Sequence, residues 1–398
     1  MPEFSPGTRT APTNVSGSRG PEDIQSTRVK IDMKDKILWY APEATPFLTL
    51  TGKIKGKRKA FNYKFEWLEK DQKPREVLVA ATETAIDTAV GVDVGARVAA
   101  RDVLLNTRTR EVILVSSVST NTLTVVRGIG NESATMAAGD SLINIGSSYL
   151  DDATSGTSKS IKEFTKFNYT QIFRTPFDFT GRDLETELFG GKDKMTETKW
   201  QSIEHKRSIE YALMFGKRDL IAAVAGTSHQ ATFTGGLEES IASNVWDVSG
   251  VSLGTRAFNE FLEEGLKWGK GGRLQGGAAT KYLLCSSRWL TEINDWADQK
   301  LEYRILDKTI GFSAMEYTSP HGRVMLLNSP ILDEYHPDYA FLVDFNHVDY
   351  VFLRNRDTKL LSDIQENDRD GEKLEYFTDA GLQVEFEHSH ALLKGLSV

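Results

Sequence analysis

The sequence predicts an α+β fold, and three patterns along its 398 residues lead to that prediction. Aromatic side chains repeat at every second position in residues 61–67, which is the spacing of one face of a β-strand. Residues 194–225 contain no proline and a single glycine, and their apolar residues lie near helical spacing. Residues 255–353 mix amphipathic helical stretches with short apolar runs. A long helix combined with extended strands indicates an α+β architecture.

The N-terminal 28 residues are polar and contain four prolines and three glycines. Such a composition blocks regular structure and offers little apolar surface to bury. We therefore expect an arm, residues 1–28, that is disordered or lies extended on a partner. Pro42 and Pro46 follow, and the two prolines predict extended or turn backbone around them.

Two aromatic strands are expected to pair with each other. The first carries Phe61, Tyr63, Phe65 and Trp67 on one face, and the second lies within residues 164–179. A basic run precedes the first strand and consists of Lys53, Lys55, Lys57, Arg58 and Lys59. The pattern predicts a charged hairpin arm.

Residues 86–149, between these aromatic strands, are typical of a small β-domain. Short β-runs at 110–118, 122–127 and 141–145 are separated by polar turns, with Asn121 at a tight turn. Such spacing predicts a small barrel or sandwich inserted into the rest of the fold.

Residues 194–225 are predicted to form one helix with a narrow apolar stripe. We place Trp200, Ile203, Tyr211 and Met214 on the stripe and Glu210 off it. The elements expected after it are helices at 255–269 and 287–299 and strands at 281–285, 311–317, 324–327, 340–344, 348–353, 374–378 and 382–388. Asp379-Ala380-Gly381 is interpreted as the connection between the last two strands.

No pattern of catalytic residues is found. The glycine cluster 269–277 lacks the Gly-Lys-Ser/Thr ending of a phosphate loop, and no HExxH or GxSxG pattern occurs. The single cysteine, Cys285, excludes an internal disulfide framework and a cysteine zinc site. His388 and His390 could share a strand face, but no third metal ligand is in view. We therefore expect no enzyme activity, no cofactor and no metal.

Charge is distributed unevenly along the chain. The 48 basic and 56 acidic residues give a net charge of −8, which argues against a sequence-reading DNA-binding protein. Residues 53–75 hold nine Lys/Arg against three Asp/Glu, whereas residues 357–388 hold ten Asp/Glu against three Lys/Arg. Copies of the chain could pair through these segments, or both segments could be solvated surfaces. No apolar run of about 18 residues and no signal peptide is seen, so no membrane association is expected.

Three short motifs and the order of the parts resemble one protein family. The motifs are Pro42-Glu43-Ala44-Thr45-Pro46-Phe47, then Thr122-Leu123-Thr124-Val125-Val126-Arg127-Gly128, and finally the residues from Glu387 to Leu396. Together they resemble the major capsid protein of tailed bacteriophages with the Hong Kong 97-like fold. The resemblance is to the branch of that family with a β-rich insertion domain.

The resemblance implies a division of the chain into the parts of that fold. These are an N-terminal arm (1–28), the start of the P domain with the first E-loop strand (29–85), the insertion domain (86–149), the second E-loop strand (150–182), the spine helix of the P domain (183–226), the A domain (227–354) and the completion of the P domain (355–398). It also implies that the protein, made in the bacterial host cytoplasm, assembles as pentamers and hexamers into the icosahedral head shell of the virion around double-stranded DNA. Expected partners are a portal, a separate scaffolding protein and optionally a decoration protein. The alternative function is another phage structural component, a tail tube or decoration protein.

The expected site residues are contacts between subunits. They are Lys53, Lys55, Lys57, Arg58, Lys59, Phe61 and Tyr63 on the arm and Asp363, Glu366, Asp368 and Asp370 on the acidic segment. We expect the basic run of one copy to face the acidic segment of the adjacent copy. One exposed ion pair contributes only about 0 to 1 kcal/mol, so the effect depends on repetition over many copies.

Overall fold

The computed structural model describes residues 45–130, 132–151, 153–154, 156, 160–186, 193–222, 229–250, 254–269, 280–296, 301–304 and 314–396. The predicted arm (1–28), Pro42 and all but the first residue of the glycine cluster lie outside these ranges. In the described part of the chain, no helix is both long enough and apolar enough to cross a membrane.

Helices and strands follow one another in mixed order along the described residues. The helices are α1 (Pro46–Ile54), α2 (Gly181–Glu185), α3 (Asp193–Phe215), α4 (Leu237–Ser240), α5 (Thr255–Gly265), α6 (Ser287–Trp296) and α7 (Pro330–Tyr335). The strands are β1 (Lys57–Ala60), β2 (Lys64–Glu69), β3 (Glu76–Leu78), β4 (Ala89–Gly91), β5 (Asp102–Asn106), β6 (Val112–Ser119), β7 (Thr122–Val126), β8 (Ser141–Ser147), β9 (Phe164–Tyr169), β10 (Gln171–Thr180), β11 (Asp219–Ile221), β12 (Ala231–Phe233), β13 (Val245–Asp247), β14 (Thr280–Cys285), β15 (Leu301–Arg304), β16 (Ala314–Ser319), β17 (Gly322–Asn328), β18 (Ala340–Val343), β19 (Val348–Leu353), β20 (Lys359–Leu361), β21 (Gly371–Val384) and β22 (Ala391–Lys394).

The chain divides into two compact units. The first comprises the described residues of Met1–Ala60, Thr170–Leu382 and His388–Val398. The second comprises those of Phe61–Tyr169 and Gln383–Glu387.

A five-stranded sheet in the first unit has the order β1-β19-β21-β10, and β20 pairs with β21. β21 is one strand of 14 residues, so the predicted connection at Asp379-Ala380-Gly381 is wrong. The backbone remains extended there because Asp379 and Ala380 pair with Ile172 and Gln171 of β10. In addition, the Asp379 carboxylate accepts a hydrogen bond of 3.0 Å from Arg356.

The long helix α3 ends ten residues earlier than predicted, at Phe215 instead of residue 225. Gly216 lies where two backbone segments meet: a Cβ there would stand 2.4 Å from Ala212 O and 2.5 Å from Thr234 O. Its carbonyl accepts a hydrogen bond of 2.8 Å from Gly236 N. The chain then forms β11, because residues 219–221 pair with β12 instead of continuing the helix. Pro46 also differs from its prediction, because it occupies the start of α1, where a helix tolerates proline.

A seven-stranded sheet, also in the first unit, has the order β13-β22-β18-β14-β17-β16-β15. Its core includes Trp289 of α6, Phe258 of α5 and Cys285 of β14, all fully buried. The strand predicted at 281–285 and the helix starting at Ser287 are confirmed. Ser286 caps that helix, and its hydroxyl accepts the Trp289 N–H at 3.4 Å.

The second unit contains a six-stranded sheet in the order β3-β8-β5-β6-β7-β4 and a separate two-stranded ribbon of β2 and β9. The three predicted β-runs correspond to β6, β7 and β8. Arg127, from the second of the resembling motifs, is buried against Glu111 at 2.7 Å. It also donates to Thr84 O at 2.9 Å and to Ala134 O at 2.5 Å, so it joins three loops of this unit.

Candidate intersubunit surfaces

The basic run belongs to the first unit and not to the β2–β9 ribbon. Lys53 lies in the last turn of α1, and Lys57, Arg58 and Lys59 form most of β1, which pairs in parallel with β19. Two of its lysines are paired within the chain: Lys55 with Asp349 at 2.9 Å and Lys57 with Asp357 at 2.8 Å. The expectation that the basic run lies on the same arm as the aromatic strand is therefore wrong, because strand β1 completes a sheet of the first unit before β2 begins.

The β2–β9 ribbon keeps only part of the predicted aromatic face. Phe65 is buried, whereas Phe61 is 82 % exposed and lies with Tyr63 in a bend ahead of β2. The Tyr63 ring stacks on that of Tyr169 in β9 at 6.2 Å. The expected pairing of the two aromatic segments is confirmed for β2 and β9, but residues 171–180 form a different strand, β10, which pairs with β21.

The segment 362–370, here called the acidic loop, connects β20 to β21 and is exposed throughout most of its length. It carries the expected site residues Asp363, Glu366, Asp368 and Asp370. Its single basic residue, Arg369, pairs with Asp178 of β10. Backbone bonds from Ile364 N to Lys373 O at 3.3 Å and from Arg369 N to Glu366 O at 3.1 Å hold its shape. The loop is thus an ordered, negatively charged projection.

A cleft with a volume of about 1000 Å³, here called the spine cleft, lies between α1, α3 and the strands β20 and β21. Its lining includes Lys194, Lys199 and Lys206 from one side of α3. Glu372 also lines it and is paired with Lys194. The described lining of the cleft therefore carries excess positive charge, which the sequence alone did not predict. The spacing of five and seven residues between these lysines on one helix was the available signal.

Glu210 is the second site that the sequence analysis missed. It was placed off the apolar stripe of α3, but it is fully buried, whereas Tyr211 is 38 % exposed. Glu210 is buried because it caps the N-terminus of α1. The N-cap residue Thr45 forms no side-chain cap there, and the Glu210 carboxyl accepts the Leu48 N–H at 3.1 Å instead. Burial raises the pKa of this carboxyl to about 8. Glu210 follows Ile203 of the stripe by seven residues, or about two helical turns, and this spacing could have indicated a buried acceptor.

His205 is the other buried titratable group of α3. Its Nδ1 lies 2.8 Å from the Thr175 hydroxyl of β10, and its Nε2 lies 2.7 Å from the Thr378 hydroxyl of β21. Burial lowers its pKa to about 4. A neutral imidazole therefore joins the long helix to two neighbouring strands.

The cysteine and the two C-terminal histidines that were considered for catalysis or metal binding have structural positions in this fold. Cys285 is fully buried, and burial raises the pKa of its thiol. His388 is exposed in a short 3-10 turn while His390 is buried and accepts the Asp344 N–H at 3.3 Å, so the two imidazoles do not share a strand face. Among the described residues, no three His, Cys, Asp or Glu side chains are grouped to hold a metal ion.

Comparison with known proteins identifies the family. A family model described as SU10 major capsid protein matches residues 10–397. The chain belongs to this family. No curated protein matches the sequence. A family of structural capsid proteins implies a non-enzymatic role.

Solved structures of phage capsids resemble the fold of this SU10-family protein. A capsid chain of cyanophage A-1(L) has a TM-score of 0.55 at 10% identity, over 94% of this chain and 99% of that one. A chain of Mycobacterium phage Ogopogo gives 0.49 at 8% identity over 93% and 97%, and the capsid of Myoviridae phage XM1 gives 0.48 at 10% over 94% and 99%. The likeness to the cyanophage chain shows a phage capsid fold, and with the family it confirms the predicted Hong Kong 97-like fold. The protein is a major capsid protein of the virion head shell.

Proposed function

We propose that this major capsid protein assembles as pentamers and hexamers into a closed icosahedral head around double-stranded DNA. The match to the SU10 family over residues 10–397 is the observation that carries this proposal. A portal and a separate scaffolding protein complete the assembly, and a decoration protein is an optional partner.

Within that shell, residues 1–28 form an arm that crosses to neighbouring subunits. Residues 86–149 decorate the outer surface, and residues 227–354 meet their copies around five-fold and six-fold axes. The basic run and the acidic loop lie at contacts between subunits. The support is their exposure and their opposite charge.

Electron microscopy of the full chain, expressed alone and with the scaffolding protein of the same phage, tests this function. Closed polyhedral shells are expected, with pentameric and hexameric clusters in the averaged images. Tubes would favour a tail component and isolated trimers would favour a decoration protein, and either result would overturn the proposal.

A further inference from the structure

The acidic loop and the spine cleft carry complementary features on the same chain. The loop exposes Asp363, Glu366 and Asp368, whereas its Arg369 is occupied by Asp178 within the chain. The loop also exposes an apolar side chain, Ile364, which is 37 % accessible. Its surface therefore combines three carboxylates with an apolar contact point.

The spine cleft offers the matching surface. Lys199 and Lys206 are exposed at its edge, and among the described residues the one lining carboxylate is that of Glu372, which is paired with Lys194. Ile203 and Leu374 provide a mostly buried apolar floor. A segment with outward carboxylates and one aliphatic side chain meets both requirements of such a cleft, charge and shape.

The loop does not fill the cleft of its own chain. Leu360 and Ser362, at the stem of the loop, line the cleft, but among the described residues none of 363–370 does. The bond from Ile364 N to Lys373 O and the pairing of Arg369 with Asp178 hold the loop in its present position. An acidic loop that enters the cleft therefore comes from another molecule, and every copy of the chain carries one.

We propose that the acidic loop of one subunit enters the spine cleft of a second copy, an interface that rests on the proposed shell assembly. Asp363, Glu366 and Asp368 then face Lys199 and Lys206. This differs from the pairing expected from sequence, in which the loop faces the basic run. In the structure, Lys55 and Lys57 of that run already have carboxylate partners in their own chain.

Charge exchange in the full chain tests the interface. The double variants K199E/K206E and E366K/D368K should each reduce the yield of shells at least about tenfold, since like charges then meet at every contact. Combining all four substitutions should restore assembly toward the wild-type level. K53E/K59E reverses the same number of charges on the basic run and should not rescue E366K/D368K. Rescue by K53E/K59E instead, or undiminished assembly of E366K/D368K, would overturn the proposal.

Disulfide formation between copies provides a second test, which does not depend on correct folding of the charge variants. A tagged chain with E366C and an untagged chain with K206C are assembled together and oxidised. The native Cys285 is buried and does not interfere. Cross-linked pairs of tagged and untagged chains are expected in the shells, and a matched pair of E366C with K59C should give none. If the wild type forms shells but the E366C and K206C chains show no cross-link, the interface is refuted. If the wild type itself forms no shells, the proposed function is refuted.

Discussion

Replacing Glu210 by glutamine should remove a large pH dependence of subunit stability. The carboxyl is fully buried and its pKa is raised to about 8, whereas an unfolded glutamate titrates near its ordinary value of 4.5. The folded Glu210 carboxyl therefore keeps its proton at pH values where the unfolded glutamate has already lost it. The stabilisation from this group is fully present below pH about 4.5 and is lost as the pH rises through about 8. Glutamine keeps an oxygen that accepts the Leu48 N–H but does not titrate.

The magnitude follows from the two pKa values. Between pH 5 and pH 8 the wild type should lose about 3 kcal/mol of unfolding free energy from this one group. E210Q should lose none of it. The difference in stability between E210Q and wild type should therefore shift by about 3 kcal/mol in favour of E210Q over that interval.

Urea unfolding of the unassembled full chain at pH 5 and pH 8, followed by tryptophan fluorescence, measures this shift. The matched control is E204Q on the exposed face of the same helix, and it should show no shift. If E210Q and wild type kept a constant difference in stability across this pH range, the reasoning about a buried protonated carboxyl would be refuted.

Three further substitutions test buried polar groups by urea unfolding of the full chain. Between pH 7 and pH 5 the wild type should lose about 2 kcal/mol of unfolding free energy, because His205 takes up a proton in the unfolded chain but stays neutral when buried. H205Q should not show this loss. An unchanged pH dependence of stability in H205Q would contradict this reasoning. R127A leaves the Glu111 carboxylate buried without a countercharge and should cost about 3 to 5 kcal/mol of stability. R97A removes the partly exposed pair of Arg97 with Asp93, 3.7 Å apart, and should cost no more than about 1 kcal/mol. Equal costs of the two substitutions would refute this distinction. K281M removes hydrogen bonds from the Lys281 amine to Gly265 O, at 2.7 Å, and to the Trp268 and Ser389 carbonyls, and it should cost about 3 kcal/mol of stability. K267M, at a partly exposed lysine paired with Glu264, should have a small effect. An unchanged stability of K281M would show that these carbonyls find other partners.

Local patterns in the sequence were sufficient for much of the fold. Strand β19 was predicted with its observed bounds, because its apolar run is flanked by polar residues on both sides. The motif containing Arg127 led to the correct family, and the structure gives that arginine a clear role as the link among three loops. Sequence spacing alone also identified β2 and β9 as partners.

The errors came from contacts distant in sequence. The end of α3 is set by Gly236, whose N–H bonds to Gly216 O. Gly216 was itself a local stop signal, but a single glycine is also tolerated inside a helix, so it did not decide the end of α3 by itself. The length of β21 depends on β10, about 200 residues earlier in the chain. The burial of Glu210 depends on the open N-terminus of α1, 162 residues away. The spine cleft likewise exists only when α1, α3 and β21 are assembled.

The arrangement of the six-stranded sheet makes it exchangeable as a cassette. Its first strand, β3, and its last, β8, are antiparallel neighbours, with Glu76 opposite Ile143. The chain therefore enters this sheet at Glu76, about 5 Å or one strand spacing from Ile143, and leaves it four residues later at Ser147. A linker of a few residues could close that gap after removal of the sheet, and a foreign domain with adjacent termini could be grafted there. Variation in this part of the surface is thus compatible with an unchanged β2–β9 ribbon.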